Sequence, residues 1–206
     1  MKVSFINKLS EKKETLVIIS DKKSISKIGG LNKIILNSIK DVIINENFKF
    51  NKLETIEILK GDKNGYSKII VIGTGESSDL SFKDFDLIGG KVTQLNSKSN
   101  NNIDVLVANN ITNDNSVLRI GYGAVLATYR FDKYKSKKVK ISFPNNIRIL
   151  SKSSQSLSKK FIHKKSLSEG VFLARDLVNE PSNILNPEDY AKRIKDLSKF
   201  GLKVEI

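Results

Sequence analysis

Residues that could carry out catalysis are few in this sequence. Cysteine is absent, which excludes thiolate nucleophiles, disulfides and cysteine-based metal sites. The one histidine, His163, has lysines on both sides in a helix-like stretch, and this predicts a solvent-facing side chain rather than a base or a metal ligand. Carboxylates occur singly or in loose pairs, among them Asp84 with Asp86 and Asp176 with Glu180. Hydrolysis by two metal ions needs several carboxylates around ions about 4 Å apart, so we assign no catalytic residue, metal ligand or cofactor to this chain.

A glycine-containing turn, Gly73-Thr74-Gly75, follows an apolar run that predicts a buried strand. Backbone amides in such a turn can bind a phosphate group, so a loop for a nucleotide or ADP-ribose is one hypothesis. The dinucleotide-binding fingerprint is incomplete, because Glu76 and two serines follow in place of the required glycine spacing. A tight turn between a strand and a loop is the interpretation that the sequence favours.

The chain has a formal net charge of +14, which favours polyanionic partners. Lysine supplies nearly all of this charge, and lysine, isoleucine and asparagine are abundant together, as an A/T-biased genome would produce. Arginine, the preferred residue for bidentate phosphate and guanine contacts, is scarce. We therefore expect only weak, sequence-independent DNA binding. The candidate patch interleaves basic and aromatic residues, and its lysines are Lys133, Lys135, Lys137 and Lys138.

A rigid connection between two helices is predicted near the end of the chain. A helix-like run ends at Asn179, and Pro181 follows after one intervening residue. Asn186 is placed to cap a second helix that Pro187 opens. We call residues 180–186 the elbow. The acidic residues that follow Pro187 suit the first turn of a helix, whereas Asp176 is expected to pair with a nearby base.

The elements before the elbow alternate between strand-like and helix-like patterns. This order predicts an α/β fold, a three-layer mixed sheet with helices on both faces. Glycine pairs inside two of the helices, Gly89-Gly90 and Gly121 with Gly123, are expected to permit close packing of those helices on the sheet. The predicted strands cover residues 2–6, 15–19, 52–59, 68–72, 103–108 and 138–143, and the predicted helices cover residues 31–43, 82–95 and 116–130.

The last quarter of the chain has a different character. Residues 145–158 are polar and rich in serine, which indicates a surface linker, so we divide the chain into a domain of residues 1–150 and a tail of residues 151–206. The tail is predicted to contain a long helix over 157–178, a helix over 187–200 that Gly201 ends, and a strand over 202–206. A strand with no partner behind it suggests the opening of a second domain that is cut short.

Two segments of the chain resemble the leucyl aminopeptidase (cytosol aminopeptidase) family. The first runs from Tyr129 to Lys135 and includes Arg130, Phe131 and Tyr134, the aromatic pair being expected to pack rather than to stack on bases. The second spans the elbow. Its matching positions, which we expect to shape the elbow, are Arg175, Asp176, Asn179, Pro181, Asn183 and Pro187. Residues 1–110 match the family only in the order of their elements.

The resemblance implies a non-catalytic N-terminal domain, related in fold to macro domains, and a long linking helix that leads to a C-terminal peptidase domain. It also implies two divalent ions, Mn²⁺ or Zn²⁺, in that second domain, release of N-terminal amino acids from peptides, and assembly into hexamers. Some bacterial members bind DNA. The family's catalytic segment, Asn-Thr-Asp-Ala-Glu-Gly-Arg, has no counterpart in this chain, so its metal-binding and catalytic residues cannot be carried over.

Three hypotheses for function follow from these observations. The first is the N-terminal part of such an aminopeptidase, inactive by itself and acting in assembly or interaction. The second is a stand-alone basic module that binds nucleic acid, and the third is a macro-like domain that binds a nucleotide or ADP-ribose. No signal peptide or membrane-spanning stretch is recognisable, so we expect a cytoplasmic protein that associates with itself through its tail.

Overall fold

A computed structural model describes residues 1–9, 14–59, 65–96, 101–108, 110–111, 113–137 and 142–205. In this part of the chain the strands are β1 (Lys2–Ile6), β2 (Thr15–Ser20), β3 (Thr55–Leu59), β4 (Lys68–Gly73), β5 (Ile103–Val107) and β6 (Asn146–Leu150). The helices are α1 (Lys33–Asn45), α2 (Phe82–Leu95), α3 (Asp114–Leu126), α4 (Ser154–Asn179) and α5 (Pro187–Lys195).

The six strands form one mixed sheet in the order β1-β6-β5-β2-β4-β3. All neighbouring pairs are parallel except β3 with β4, which is antiparallel at one edge. The predicted α/β fold with a mixed sheet is therefore confirmed. Parallel strands require crossover connections, and α2 and α3 provide two of them.

Apolar cores lie on both faces of the sheet, and β2 is therefore buried along its whole length. Val17 and Ile19 face a core that includes residues of α2, α3 and the start of α4. Leu16 and Ile18 face the opposite core, which includes residues of α1. Successive side chains of a strand point to opposite faces, so the continuous apolar run in β2 is what places helices on both sides.

Two glycines allow α2 and α3 to pack with their backbones in direct contact. A Cβ atom added at Gly89 would lie 1.9 Å from the carbonyl oxygen of Ile120, and one at Gly123 would lie 1.9 Å from that of Asp86. Gly121 instead faces α4, where an added Cβ would lie 2.9 Å from the ring of Phe161. For Gly89 and Gly123 the expectation of close packing on the sheet was thus wrong, since they face another helix. Gly121 also faces the sheet, where the added Cβ would lie 3.2 Å from the side chain of Val3 in β1.

Strand β6 contradicts the prediction of a linker over residues 145–158. Asn146–Leu150 lies between β1 and β5 in the sheet, and Ile147 and Ile149 are fully buried. The strand predicted over 138–143 lies mostly outside the described residues, and residues 142 and 143 are not in a strand. The polar residues of β6 masked the alternation of its two isoleucines, which is the ordinary pattern of a strand with one buried face.

A buried ion pair holds β6 beside β5. The Nε atom of Arg148 donates to the carboxylate of Asp104 at 2.6 Å, and Asp104, the second residue of β5, is completely buried. The hydroxyl of Tyr66 donates to the other oxygen of Asp104 at 2.9 Å. Burial and the carboxylate together raise the pKa of Tyr66, so the phenol stays neutral.

The start of α4 packs on the sheet domain. Leu157 and Phe161 belong to the core that contains α2 and α3, and the Phe161 ring meets that of Phe5 edge-on at 5.3 Å. The division of the chain at residue 150 stays a prediction, but a cut made there would remove both side chains from the core.

The end of the chain differs from the prediction. The helix predicted over 187–200 ends as α5 at Lys195 and continues as a 3-10 helix to Phe200, and Gly201 follows with φ +83°, as a terminating glycine does. Residues 202–205 do not form the predicted strand, because no strand of the described chain pairs with them. Among the described residues, no helix has the length and apolar character needed to cross a membrane.

The glycine contact between α2 and α3 can be tested by adding one methyl group. We expect Gly89→Ala to lower the free energy of unfolding by at least about 2 kcal/mol, because the backbone of α3 cannot move away without disturbing the core. The adjacent Gly90→Ala is the matched control, since its Cβ would make only an ordinary contact at 3.7 Å with Ala127. That control should be neutral, or stabilising by up to about 1 kcal/mol. Urea unfolding followed by circular dichroism measures both, and equal effects of the two substitutions would contradict the contact.

Candidate functional site

The structure brings the two family-like segments together, one after α3 and the other at the end of α4. The hydroxyl of Tyr129 donates to Oδ1 of Asp176 at 2.8 Å, and Nδ2 of Asn179 donates to the same hydroxyl oxygen at 3.1 Å. The guanidinium of Arg175 lies 5.3 Å from the centre of the Tyr129 ring, and the ring of Phe172 lies at 5.4 Å. One tyrosine thus contacts four residues of the last two turns of α4.

The Tyr129 side chain is a neutral phenol that donates a hydrogen bond. Burial raises the pKa of its hydroxyl, and the hydrogen bond to Asp176 raises this pKa further. The expectation that Asp176 pairs with a base was wrong, because its hydrogen-bond donor is the Tyr129 hydroxyl. This contact attaches the end of α4 to the sheet domain.

Glu180, the first residue of the elbow, is the centre of a second set of contacts. Its carboxylate accepts from Nζ of Lys133 at 2.8 Å, from the hydroxyl of Tyr134, and from Nη1 of Arg193 in α5 at 3.3 Å. We call Glu180, Lys133, Tyr134 and Arg193 the Glu180 cluster. Only 3% of the Glu180 side chain is exposed. The cluster therefore joins the segment after α3, the elbow and α5 through one carboxylate.

The donors of the Glu180 cluster hold its carboxylate in the ionised form. They lower the pKa of Glu180 from 4.5 to about 2, Lys133 contributing most and Tyr134 next. The same contacts raise the pKa of Lys133. Both partners consequently remain charged throughout the physiological range of pH.

The candidate basic patch is partly neutralised by neighbouring carboxylates. Lys135 pairs with Asp132 at 2.8 Å, and Arg130 contacts the same carboxylate. The rings of Phe131 and Tyr134 lie 5.8 Å apart, with Tyr134 about half exposed. Lys133 points to Glu180, Lys137 is exposed, and Lys138 lies outside the described residues.

The elbow itself has the geometry that the sequence predicts. Helix α4 ends at Asn179, and the carbonyl of Pro181 accepts hydrogen bonds from the amides of residues 184 and 185 at 2.9 Å. Asn186 caps α5 by accepting from the amide of Asp189 at 2.9 Å, and Pro187 is the first residue of the helix. Asn183 is exposed in the turn. The predicted cap, the end of α4 and the start of α5 are confirmed.

The turn at Gly73, Thr74 and Gly75 uses its backbone amides within the chain. They donate to the carbonyls of Glu54 at 2.8 Å, Ser20 at 3.2 Å and Phe50 at 2.8 Å, respectively. A Cβ at Gly73 would lie 2.5 Å from a backbone oxygen, and Gly75 has φ +69°. Both glycines are thus explained by a tight turn. These amides already have acceptors, so the geometry favours that interpretation over a phosphate loop.

Sequence reasoning missed Glu180 as a site residue. The family pattern leaves its position open between the asparagine and the proline, so the motif carries no signal for it. One signal did exist, because Glu180 is an acidic residue at the end of a helix and the segment 130–138 is basic.

The Glu180 cluster should make part of the stability depend on acid pH. The folded-state pKa of Glu180 lies below its ordinary value, so its contribution is complete above pH 4.5 and disappears as pH falls to about 2. We expect Glu180→Gln to lower the melting temperature near neutral pH. The difference from the unaltered chain should shrink across that window.

The matched control is Glu169→Gln. Glu169 is 65% exposed, and its ion pair with Lys165 is long, at 3.9 Å, and lies at the surface, where such pairs contribute little to stability. Its melting temperature should follow that of the unaltered chain at every pH. Thermal unfolding by circular dichroism gives the three curves, and a pH-independent effect of Glu180→Gln would show that the charge is irrelevant.

Comparison with known proteins supports what the two segments indicate. Residues 16–138 match the model of the cytosol aminopeptidase family, N-terminal domain. A probable cytosol aminopeptidase of Rickettsia rickettsii (strain Sheila Smith) is 32% identical over 219 residues, which cover 100% of this chain and 43% of the relative. A probable cytosol aminopeptidase of Chelativorans sp. (strain BNC1) is 33% identical over 168 residues, covering 77% of this chain and 33% of the relative.

Solved structures agree on the fold. A tomato leucine aminopeptidase mutant superposes with a TM-score of 0.75 at 20% identity, covering 97% of this chain and 42% of that one. The bottromycin maturation enzyme BotP in complex with Mn superposes with a TM-score of 0.63 at 16% identity, covering 91% of this chain and 36% of that one.

The chain spans less than half the length of these relatives. The family is one of metallo-aminopeptidases, which are peptide hydrolases. The match over more than half of the chain shows that it belongs to the cytosol aminopeptidase family and contains that family's N-terminal domain.

Proposed function

We propose that this chain is the non-catalytic N-terminal part of a leucyl aminopeptidase-like exopeptidase, and that it acts in assembly. The whole enzyme would release N-terminal amino acids from peptides in the cytoplasm. The observation that carries the proposal is that α4 is attached at both ends. Leu157 lies in the core at its start, and Glu180 is held by Lys133 and Arg193 just beyond its end. A helix attached in this way sets the position of whatever follows it.

The two divalent ions of such an enzyme, Mn²⁺ or Zn²⁺, do not fit the residues that the structure describes. Within the described ranges, no three or more His, Cys, Asp or Glu residues stand close enough together to hold a metal ion. The best-organised carboxylates, Asp176 and Glu180, are already bound by a tyrosine hydroxyl and by cations. No step of a metal-dependent reaction is therefore derived for these residues.

The chain alone should not hydrolyse aminoacyl substrates, because its described residues bring together no carboxylate grouping of the required kind. We expect no turnover of leucine p-nitroanilide by the purified chain, with or without added Mn²⁺. A leucine aminopeptidase assayed in the same buffer is the positive control. Metal-dependent release of nitroaniline that co-purifies with the chain would contradict the proposal.

Assembly would use the apolar surface that the tail leaves exposed. Several large apolar side chains of α4 and of the residues after it are open to solvent, among them Ile162 at 68%, Val178 at 85% and Phe200 at 82%. These side chains are distributed along the tail, and large apolar side chains left open to solvent are candidates for contact with another protein surface. We infer self-association through this surface, whereas weak DNA binding would be a secondary consequence of the charge.

The self-association has a direct test in solution. Size-exclusion chromatography with light scattering should give a molar mass above that of one chain. The double substitution Val178→Glu and Phe200→Glu should reduce this mass to that of a single chain. Ile44→Glu is the control, because Ile44 is 74% exposed on α1, away from the tail, and it should leave the mass unchanged. A single-chain mass for the unaltered protein at every concentration would contradict the inference.

A further inference from the structure

A cavity of about 680 Å³ lies at the carboxyl ends of the parallel strands. Its walls come from four separate connections: Asn7 after β1, Gly29 after β2, Asn113 after β5 and Lys152 after β6. The volume falls within the roughly 300–1,000 Å³ that small-molecule sites occupy. Neither the elbow nor the turn at Gly73 contributes to it.

The position of this cavity follows from the sheet topology. From β2 the chain leaves across α1 toward the β3 edge, whereas from β5 it leaves across α3 toward β6 on the opposite side. Helix α1 packs on one face and α3 on the other. Neighbouring strands whose connections diverge in this way open a crevice at their carboxyl ends, and α/β proteins bind ligands at this point.

One wall of the cavity is apolar and suits a flat group. Leu106 and Leu150 line it together with Ile28 and the two glycines that follow. Gly30 has φ +84°, so a side chain there would be strained, and a Cβ at Gly29 would meet no atom within 4 Å. A ring can therefore lie against bare backbone.

The rest of the lining is polar and has a positive charge. It contains Lys152 between Ser151 and Ser153, and Lys152 is exposed. The one carboxylate of the described lining, Asp114, is paired with Lys160 at 2.8 Å. The first turn of α4, which starts beside Lys152, has no acidic residue that would repel an anion.

We propose that this cavity binds a small ligand in which a ring carries a phosphate group, as in a mononucleotide. The ring would lie against the backbone of Gly29, where the lining is open, and the phosphate would lie beside Lys152 and its flanking hydroxyls. Such a ligand is distinct from peptide substrates, and the proposal is independent of the assembly role.

Calorimetric titration of the full chain with AMP, adenosine and inorganic phosphate tests the site. AMP should bind saturably, and adenosine and phosphate should each bind at least about tenfold more weakly. Lys152→Glu should lower the affinity for AMP by about tenfold and leave the affinity for adenosine unchanged. Gly29→Phe should lower the affinity for both ligands.

The controls are Lys159→Glu, an exposed lysine of α4, and Gly170→Phe, where an added Cβ also meets no atom within 4 Å. Both should bind AMP as the unaltered chain does, and circular dichroism verifies that each variant is folded. If Gly29→Phe does not fold, Lys152→Glu still decides the matter. No saturable binding of AMP, binding that neither cavity variant alters, or equal affinity for AMP and phosphate would overturn the proposal.

Discussion

The ion pair between Arg148 and Asp104 is the constraint on which the later part of the structure depends. Two charges in the middle of a sheet are stabilising only if they remain together, because removing one leaves the other buried without a partner. Tyr66 supplies the additional hydrogen bond that the carboxylate needs. The pair holds β6 between β5 and β1, and that placement determines where α4 begins. The cavity beside Lys152 and the attachment of the tail both follow from it.

From β6 onward the chain is connected to the sheet domain at two separated places. The first place is apolar, where Leu157 and Phe161 enter the core beside Gly121. The second is polar, where Tyr129 binds Asp176 and the Glu180 cluster binds α5. The apolar contacts fix the direction of the helix, and the polar contacts fix the angle at its end. This division explains why the family-like residues concentrate around the elbow while the start of α4 is ordinary core.

Much of the fold follows from local patterns, and the differences have physical causes. Thr15–Ser20 and Ile103–Val107 are predictable because apolar runs of this length form buried strands. The cap at Asn186 was equally clear. Strand β6 was missed because a charged residue sits at its centre, and its partner Asp104 lies more than forty residues earlier. No pattern within one segment can indicate such a pairing.

The candidate site was predictable only in part, for a similar reason. The elbow and its two prolines depend on neighbouring residues, so their geometry could be derived. Asp176 lies 47 residues from Tyr129, and Lys133 lies 47 residues from Glu180. The glycines of α2 and α3 showed that something approaches closely, but their spacing did not say whether it was a sheet or a helix. Only the packed structure resolves such choices.

The place of β1 in the sheet has a consequence for the order of events during synthesis. Among the described strands its only neighbour is β6, which is encoded roughly 140 residues later, so β1 waits longest for its partner. At about 5–20 residues per second, a ribosome needs roughly 7–30 s to supply that partner. During this interval Val3 and Phe5 lie on a strand that has no neighbour. The nascent chain consequently carries β1 unpaired until β6 has been made, and closure of the sheet must wait until the other parallel strands have formed.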